Sequence, residues 1–258
     1  MQRSNDINNK LKFFTSKILP IAFWLILWYL ADYYINNDII LSSPIEVAHK
    51  LLEMSKEKEF WASIYFSLGK IVLGFFIGVA FGCILSAFSI KLRWLKDLLN
   101  PLVIVMRSIP VASFIILCLM WIDVKNLSVF ISFMMVFPIM YQNMYTGLEN
   151  VNKDLLEMAK VFNLSAMYKV KYIYLSNLLP FFKSASIISL SLSFKSGIAA
   201  EVIGKPLGSI GEKLYGAKLY LNTAELLAWT VVIIIFSMLF EKLFLILLDY
   251  FMKYIEES

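Results

Sequence analysis

The chain has 258 residues, of which 60% are hydrophobic, and it carries a formal net charge of +5. Soluble globular domains are about 45–50% apolar, so this composition indicates an integral membrane protein. Excess Lys and Arg in such a protein mark cytoplasmic loops, and a nucleic-acid partner is not expected. The two cysteines, Cys83 and Cys118, lie inside apolar runs. With His49 as the single histidine, they argue against a metal centre.

Six apolar runs have about the length that a helix needs to cross a hydrocarbon core of roughly 30 Å, which is about 20 residues. They predict spans at about 18–35, 61–90, 98–122, 127–148, 172–200 and 224–251. We expect a Gly-rich loop at 204–216 and a C-terminal tail at 252–258. Residues 1–17 are expected to form a polar N-terminal tail, without the small-residue cleavage site of a removable signal peptide.

The segment after the first span is amphipathic. Ser43 and Pro44 have the pattern of an N-cap followed by proline at the first helical position. The charged stretch at 45–59 then predicts a short helix lying on the membrane surface. Residues 18–60 thus form one region, and residues 61–251 form a core with five spans.

Small residues recur on one ridge of the second span. Gly74, Gly78 and Gly82 are spaced by four residues, which lets a neighbouring helix approach the backbone closely. Helix packing is the favoured interpretation, because a ridge inside a helix offers no place for a phosphate.

The distribution of basic residues gives an orientation. If the N-terminus is cytoplasmic, twelve Lys and Arg residues lie in the inner segments and seven in the outer ones. The positive-inside rule then favours cytoplasmic positions for both termini. The polar stretch at 149–171 is also cytoplasmic in this orientation.

Within that polar stretch, apolar residues recur every three to four positions, which is the spacing of one side of a helix. Leu155, Met158, Ala159 and Phe162 would share one side of a helix, and the run Asn163-Leu164-Ser165 resembles a helix stop followed by a new N-cap. Two interpretations remain open. The segment is either a solvated loop with two short helices, or a docking helix that offers an apolar stripe to a partner protein.

Residues in this stretch resemble the signature of the inner-membrane permeases of ATP-binding-cassette (ABC) importers. That signature reads Glu-Ala-Ala, three residues, Gly, nine residues, then Ile-x-Leu-Pro. Glu157, Ala159, Ile173 and Leu175 match it in spacing. Met158, Asn163 and Ser176 replace an Ala, the Gly and the Pro, and Asn tolerates the left-handed backbone that a Gly position often requires.

Further segments are similar to the nitrate/sulfonate/taurine-type permeases. They are Leu41 to Val47, Arg107 to Ala112, Phe137 to Ile139 with Asn143 and Gly147, Ala199-Ala200-Glu201, and Gly208 to Gly211. The family usually has a Trp where this chain has Phe194, so the indole N–H donor is lost. The similarity extends from about Leu41 to the C-terminus.

The resemblance implies an all-α fold of the type I ABC importer class, with six transmembrane helices and a cytoplasmic coupling helix at about 153–171. Its ATPase-coupling residues would be Glu157, Met158, Ala159, Asn163, Leu164, Ile173 and Leu175. The implied partners are a second permease copy, two ATPase subunits, an extracytoplasmic solute-binding protein and the lipid of a bacterial inner membrane.

The same resemblance implies that this chain is not an enzyme. ATP and Mg²⁺ would be bound by the partner ATPases, and no cofactor by this chain. Gly204-Lys205 is the nearest approach to a phosphate-binding loop, but Ala199 and Pro206 break the pattern. The substrate would be a small polar solute, either a sulfonate-, nitrate- or taurine-like anion or a vitamin precursor.

Charges within the spans are the candidates for the translocation pathway. We hypothesise that Arg107, Lys195 and Glu201 shape its outer half, together with Pro110 and Phe194, because intramembrane charges tend to face cavities or partners. A structural ion pair for Arg107, and helix packing through the serines around Lys195, are the alternatives. A gradient-driven transporter would need coupling carboxylates, for which Glu201 is the candidate. A non-transporting scaffold is the remaining alternative.

Overall fold

A computed structural model of the chain describes residues 19–257, with side chains up to residue 253. The predicted N-terminal tail at 1–17 lies outside the described residues. The described part is helical, without strands. Its helices are α1 (Leu19–Ile35), α2 (Pro44–Met54), α3 (Lys58–Lys91), α4 (Arg93–Ser108), α5 (Val111–Cys118), α6 (Val124–Glu149), α7 (Lys153–Val161), α8 (Ala166–Gly204), α9 (Ile210–Leu219) and α10 (Thr223–Glu257).

Four of these helices, α3, α6, α8 and α10, are long and apolar enough to cross a membrane. They correspond to the second, fourth, fifth and sixth expected spans. The first expected span is α1, which has 17 residues. At 1.5 Å per residue, a helix of that length extends over about 25 Å.

The third expected span is a bent pair instead of a single helix. α4 and α5 meet at an angle of 106°. Pro110 is the cause, because proline disfavours the helical conformation of the residue before it. Ile109 accordingly has an extended backbone, with φ −73° and ψ 130°.

The chain divides into two compact units. The first comprises residues up to Phe60 together with Lys213–Val231. Within it, Ser43 caps α2: its hydroxyl accepts from the Glu46 N–H at 3.2 Å, and the Glu46 carboxylate accepts from the Ser43 N–H at 3.1 Å. This capping box confirms the predicted start of the amphipathic helix. Phe60 and Trp229 also pack in this unit, with ring centroids 5.0 Å apart.

The second unit comprises Trp61–Glu212 and Val232–Ser258. Its α3 lies against α6 along the glycine ridge. A Cβ at Gly78 would come within 2.7 Å of Val136 Cβ, and one at Gly82 within 2.6 Å of Met140 Cβ. At Gly74, a Cβ would collide with the Val129 carbonyl oxygen. The three positions therefore accept no larger side chain without moving one of the two helices.

α6 also packs along α8. Buried serines lie in this contact: the Ser132 hydroxyl donates to the Ser193 carbonyl oxygen at 3.2 Å. The Gly-rich loop expected at 204–216 is shorter than predicted, because α9 begins at Ile210. The irregular part is Lys205–Ser209, which starts with Lys205 in a left-handed conformation (φ 52°).

Candidate functional site

The matched Glu-Ala-Ala region forms the short helix α7 and its C-terminal turn. Asn152 caps the start, with its side-chain oxygen 2.8 Å from the Asp154 N–H. At the other end Asn163 takes the left-handed conformation expected of it, with φ 51°. Its N–H donates to the Lys160 oxygen, and the Leu164 N–H to the Ala159 oxygen, each at 3.0 Å. This is a Schellman motif, in which Asn occupies the position usually held by Gly.

A new helix starts at Ser165, whose hydroxyl accepts from the Tyr168 N–H at 3.5 Å. A solvated loop with two short helices would require this second helix to end before the membrane span, and it does not. No Gly or Pro interrupts the chain before Pro180, so α8 continues from Ala166 into the span, with a π-helical section at Lys169–Leu175. Ile173 and Leu175 lie in that section and are half-buried.

α7 buries one small residue and exposes its larger apolar ones. Ala159 is 1% exposed, whereas Met158 is 54%, Phe162 70% and Met167 83% exposed. Glu157 is also exposed. Small residues allow close packing and large apolar ones gain from burial. The segment is therefore attached through Ala159 and presents an uncovered apolar surface.

The helix end that precedes α7 is held by a polar cluster. Lys96 of α4 lies 3.6 Å from the Glu149 carboxylate and 4.7 Å from the Tyr145 ring centroid. The Tyr145 hydroxyl donates to Glu149 at 3.3 Å, and Asn177 of α8 donates to the Gly147 oxygen at 2.8 Å. Of this cluster, the four-residue spacing between Tyr145 and Glu149 was visible in the sequence, but its contacts with Lys96 and Asn177 were not.

Glu201, unlike the exposed Glu157, is completely buried. It is 0% exposed, and its Oε2 accepts from the Ser67 hydroxyl at 2.6 Å and from the Gly211 N–H at 3.3 Å. The Ser67 oxygen in turn accepts from the Ile210 N–H at 2.9 Å. The carboxylate thus joins the end of α8 to α3 and to the first residues of α9.

Arg107 lines a cavity of about 540 Å³ between the α4–α5 bend, α6 and α8. Gln142 and Asn143 of α6 also line it, whereas Lys195 and Glu201 do not. Lys195 is exposed on α8, and Phe194 is buried with its ring 5.8 Å from that of Phe240. The structure therefore does not bring the predicted pathway residues Arg107, Lys195 and Glu201 into one site.

The helix α7, the bend at Pro110 and the buried Glu201 lie in the segments that resemble the permease family in sequence. The family described as the inner membrane component of binding-protein-dependent transport systems matches residues 71–257. The chain belongs to this family. The match covers α3 from Ile71 onwards and each described helix that follows.

Several curated proteins are similar over most of the chain. The putative aliphatic sulfonates transport permease protein of Escherichia coli K12 is 29% identical over 71% of this chain and 70% of its own length. The taurine transport system permease protein of the same organism is 24% identical, over 88% of this chain and 85% of its own length. A formylaminopyrimidine transport permease protein of Halalkalibacterium halodurans is 22% identical, over 72% of this chain and 75% of its own length. The chain is accordingly an ABC importer permease of the sulfonate/taurine type.

The fold agrees with this assignment. A chain of the MetNI methionine ABC transporter, solved in inward-facing conformations, aligns with a TM-score of 0.55 and 18% identity. The alignment covers 76% of this chain and 93% of that one. The expected type I importer fold is confirmed by this likeness.

Proposed function

We propose that two copies of this permease form a translocation pathway and that α7 couples it to cytoplasmic ATPase subunits. The observation that carries the proposal is the uncovered apolar surface formed by α7, its C-terminal turn and the first residues of α8, including Met158, Phe162 and Met167. An amphipathic helix with exposed apolar residues is suited to a groove on a partner protein. Glu157 beside this surface supplies a charge for orienting such a contact.

The polar cluster of Lys96, Tyr145 and Glu149 gives this coupling a mechanical route. A force on α7 reaches α6 through the three residues between Glu149 and Lys153, and α8 through the turn at Asn163. The ion pair of Lys96 with Glu149 and the hydrogen bond of Asn177 with Gly147 tie α4 and α8 to the same end of α6. Movement of α7 would therefore act on three helices together.

The proposed setting is a bacterial inner membrane with both termini in the cytoplasm. Family membership supports the membrane, and the twelve-to-seven distribution of basic residues supports the orientation. An extracytoplasmic binding protein would deliver the solute to the opposite face. ATP and Mg²⁺ would act on the partner subunits.

The proposed substrate is a small polar solute. Relatives named for aliphatic sulfonates and taurine support an organic anion, and the one named for formylaminopyrimidine supports a neutral heterocycle. The cavity beside Arg107 bears on the choice between these two classes of solute.

The test is co-purification with the ATPase subunit co-expressed from the same importer. Glu157→Arg places a positive charge beside the apolar surface, and we expect it to reduce ATPase retention at least tenfold. Glu57→Arg is the matched control, because it makes the same change at an exposed residue between α2 and α3. Equal ATPase retention by both variants would contradict coupling through α7, and absence of any ATPase from the unmodified chain would favour a scaffold.

A further inference from the structure

The cavity at the α4–α5 bend has the size of a small-molecule site. Its volume of about 540 Å³ lies within the roughly 300–1,000 Å³ typical of ligand pockets. One face of α6 contributes Met135, Pro138, Ile139, Gln142 and Asn143, at the spacing that puts residues on one side of a helix. Residues of the α4–α5 bend and of α8 complete the walls.

The charge in this cavity is a single guanidinium. Arg107 is the one ionisable residue among its lining residues. Among the residues whose side chains the structure describes, no ion pair involves Arg107. An unpaired arginine within a membrane span is costly, and such residues face a cavity or a ligand. The planar guanidinium matches a carboxylate or sulfonate, whose two oxygens it can bind simultaneously.

The other walls combine two amides with apolar side chains. The side-chain N–H of Asn143 donates to the Ile139 carbonyl oxygen at 2.8 Å, and the side-chain N–H of Gln142 donates to the Thr146 hydroxyl at 3.5 Å. The rest of the lining includes Met106, Met135 and Leu192. A ligand that fits this distribution has an anionic end beside Arg107 and an apolar body against these residues.

The backbone around the cavity gives independent support for a polar solute there. Pro110 breaks the helix at the cavity wall, and Pro138 removes a backbone donor from α6. No side chain caps the first N–H groups of α5. Irregular backbone at membrane depth is tolerated where it lines a water-filled cavity or is buried in protein. The two proline sites therefore agree with a hydrated pocket that a solute can enter.

We propose that this cavity is a subsite of the translocation pathway for a small organic anion with an apolar body, held by Arg107. The proposal rests on the transport function proposed above and narrows its substrate class. Neutral heterocycles would leave the guanidinium unpaired, and inorganic anions such as nitrate would leave the apolar walls empty.

The test measures equilibrium binding of butane-1-sulfonate to the purified full-length permease in phosphatidylcholine nanodiscs, by isothermal titration calorimetry. We expect butane-1-sulfonamide, its neutral counterpart, to bind at least tenfold more weakly. Arg107→Gln should weaken sulfonate binding at least tenfold, and Arg107→Lys should weaken it less. Arg93→Gln, which removes the same group from an exposed position on α4, should leave binding unchanged. Equal binding of sulfonate and sulfonamide, or equal effects of the two glutamine variants, would overturn the proposal.

Two further arms separate the alternatives. Leu192→Trp fills the cavity without altering charge, and unchanged sulfonate binding by this variant would overturn the location. Nanodiscs containing phosphatidylglycerol offer Arg107 a headgroup with a net negative charge, in place of the zwitterionic headgroup of phosphatidylcholine. Sulfonate binding that persists there supports a solute site, whereas its loss would assign the cavity to a lipid headgroup. Binding is measured on the permease alone, so a failure of ATPase coupling would leave this result intact.

Discussion

Glu157 and Glu201 both lie in motifs that match the family, yet their surroundings are opposite. Glu157 is exposed on α7, beside an apolar surface that nothing in the described chain covers. Glu201 is fully buried and accepts hydrogen bonds from Ser67 and Gly211. Within the described residues, the first glutamate is therefore free of contacts that hold the fold, whereas the second connects three helices of this chain.

This difference shows that a motif match does not by itself assign a role. Glu201 has the intramembrane position expected of a pathway charge, but its contacts are those of a structural anchor between helices. A buried carboxylate is stabilised when donors satisfy it, and losing them is costly. Substitutions at Glu201, Gly211 and Asn163, each with its control, test this comparison between the two glutamates.

The largest effect is expected at Glu201. Glu201→Ala leaves the Ser67 hydroxyl and the Gly211 N–H without their acceptor, at about 1–3 kcal/mol for each group. We expect the free energy of unfolding to fall by roughly 2–6 kcal/mol on that basis. Thermal unfolding of the purified protein in detergent, followed by circular dichroism, would measure the change.

Glu201→Gln is the matched control, because both hydrogen bonds end on one oxygen, Oε2, and the single side-chain oxygen of Gln can take its place. It should lose less stability than Glu201→Ala. Glu157→Ala, on the exposed helix, should stay within about 0.5 kcal/mol of the unmodified protein. Comparable losses for Glu157→Ala and Glu201→Ala would break the comparison.

A smaller effect is expected where α9 contacts Glu201. A Cβ on Gly211 would collide with the Glu201 backbone and Cβ, whereas nothing lies within 4 Å of one on Gly216. Gly211→Ala should therefore destabilise the protein by about 1–3 kcal/mol through overpacking. Gly216→Ala, in the same helix, should be neutral or stabilising by up to about 1 kcal/mol, since Ala is the better helix former. The same thermal measurement applies, and equal effects of both substitutions would contradict close packing at Glu201.

Local sequence signals predicted the structure well where a few adjacent residues determine it. Ser43 and Pro44 indicated the start of α2, and Asn163 indicated the left-handed turn after α7. Contacts between distant residues could not be predicted in this way. Ser67 and Glu201 are 134 positions apart, and no periodicity relates them. Their pairing depends on how α3 and α8 pack.

The bend between α4 and α5 also depends on contacts between distant residues. Pro110 explains why the helix stops before it, but the angle of 106° depends on what α4 and α5 pack against. The cavity beside Arg107 follows from that angle and from one face of α6, so its other lining residues could not be identified from the sequence. The fifth span was expected to begin at about residue 172, after a separate cytoplasmic segment. α8 instead runs continuously from Ala166 through the π-helical section at Lys169–Leu175, because no Gly or Pro interrupts it there.

The smallest effect is expected at Asn163, where the turn after α7 depends on a single backbone conformation. Glycine adopts a positive φ more readily than asparagine, so Asn163→Gly should stabilise the turn by about 0.5 kcal/mol, whereas Asn163→Ala should destabilise it by about 1 kcal/mol. Hydrogen exchange of the Leu164 amide, which donates to Ala159, measures this directly. Its protection should rise about twofold in the glycine variant and fall about fivefold in the alanine variant. Asn163 is not part of the buried contacts around Glu201, so the global thermal unfolding temperature should change little in either variant. A large fall in that temperature for Asn163→Ala would show that α7 also stabilises the core.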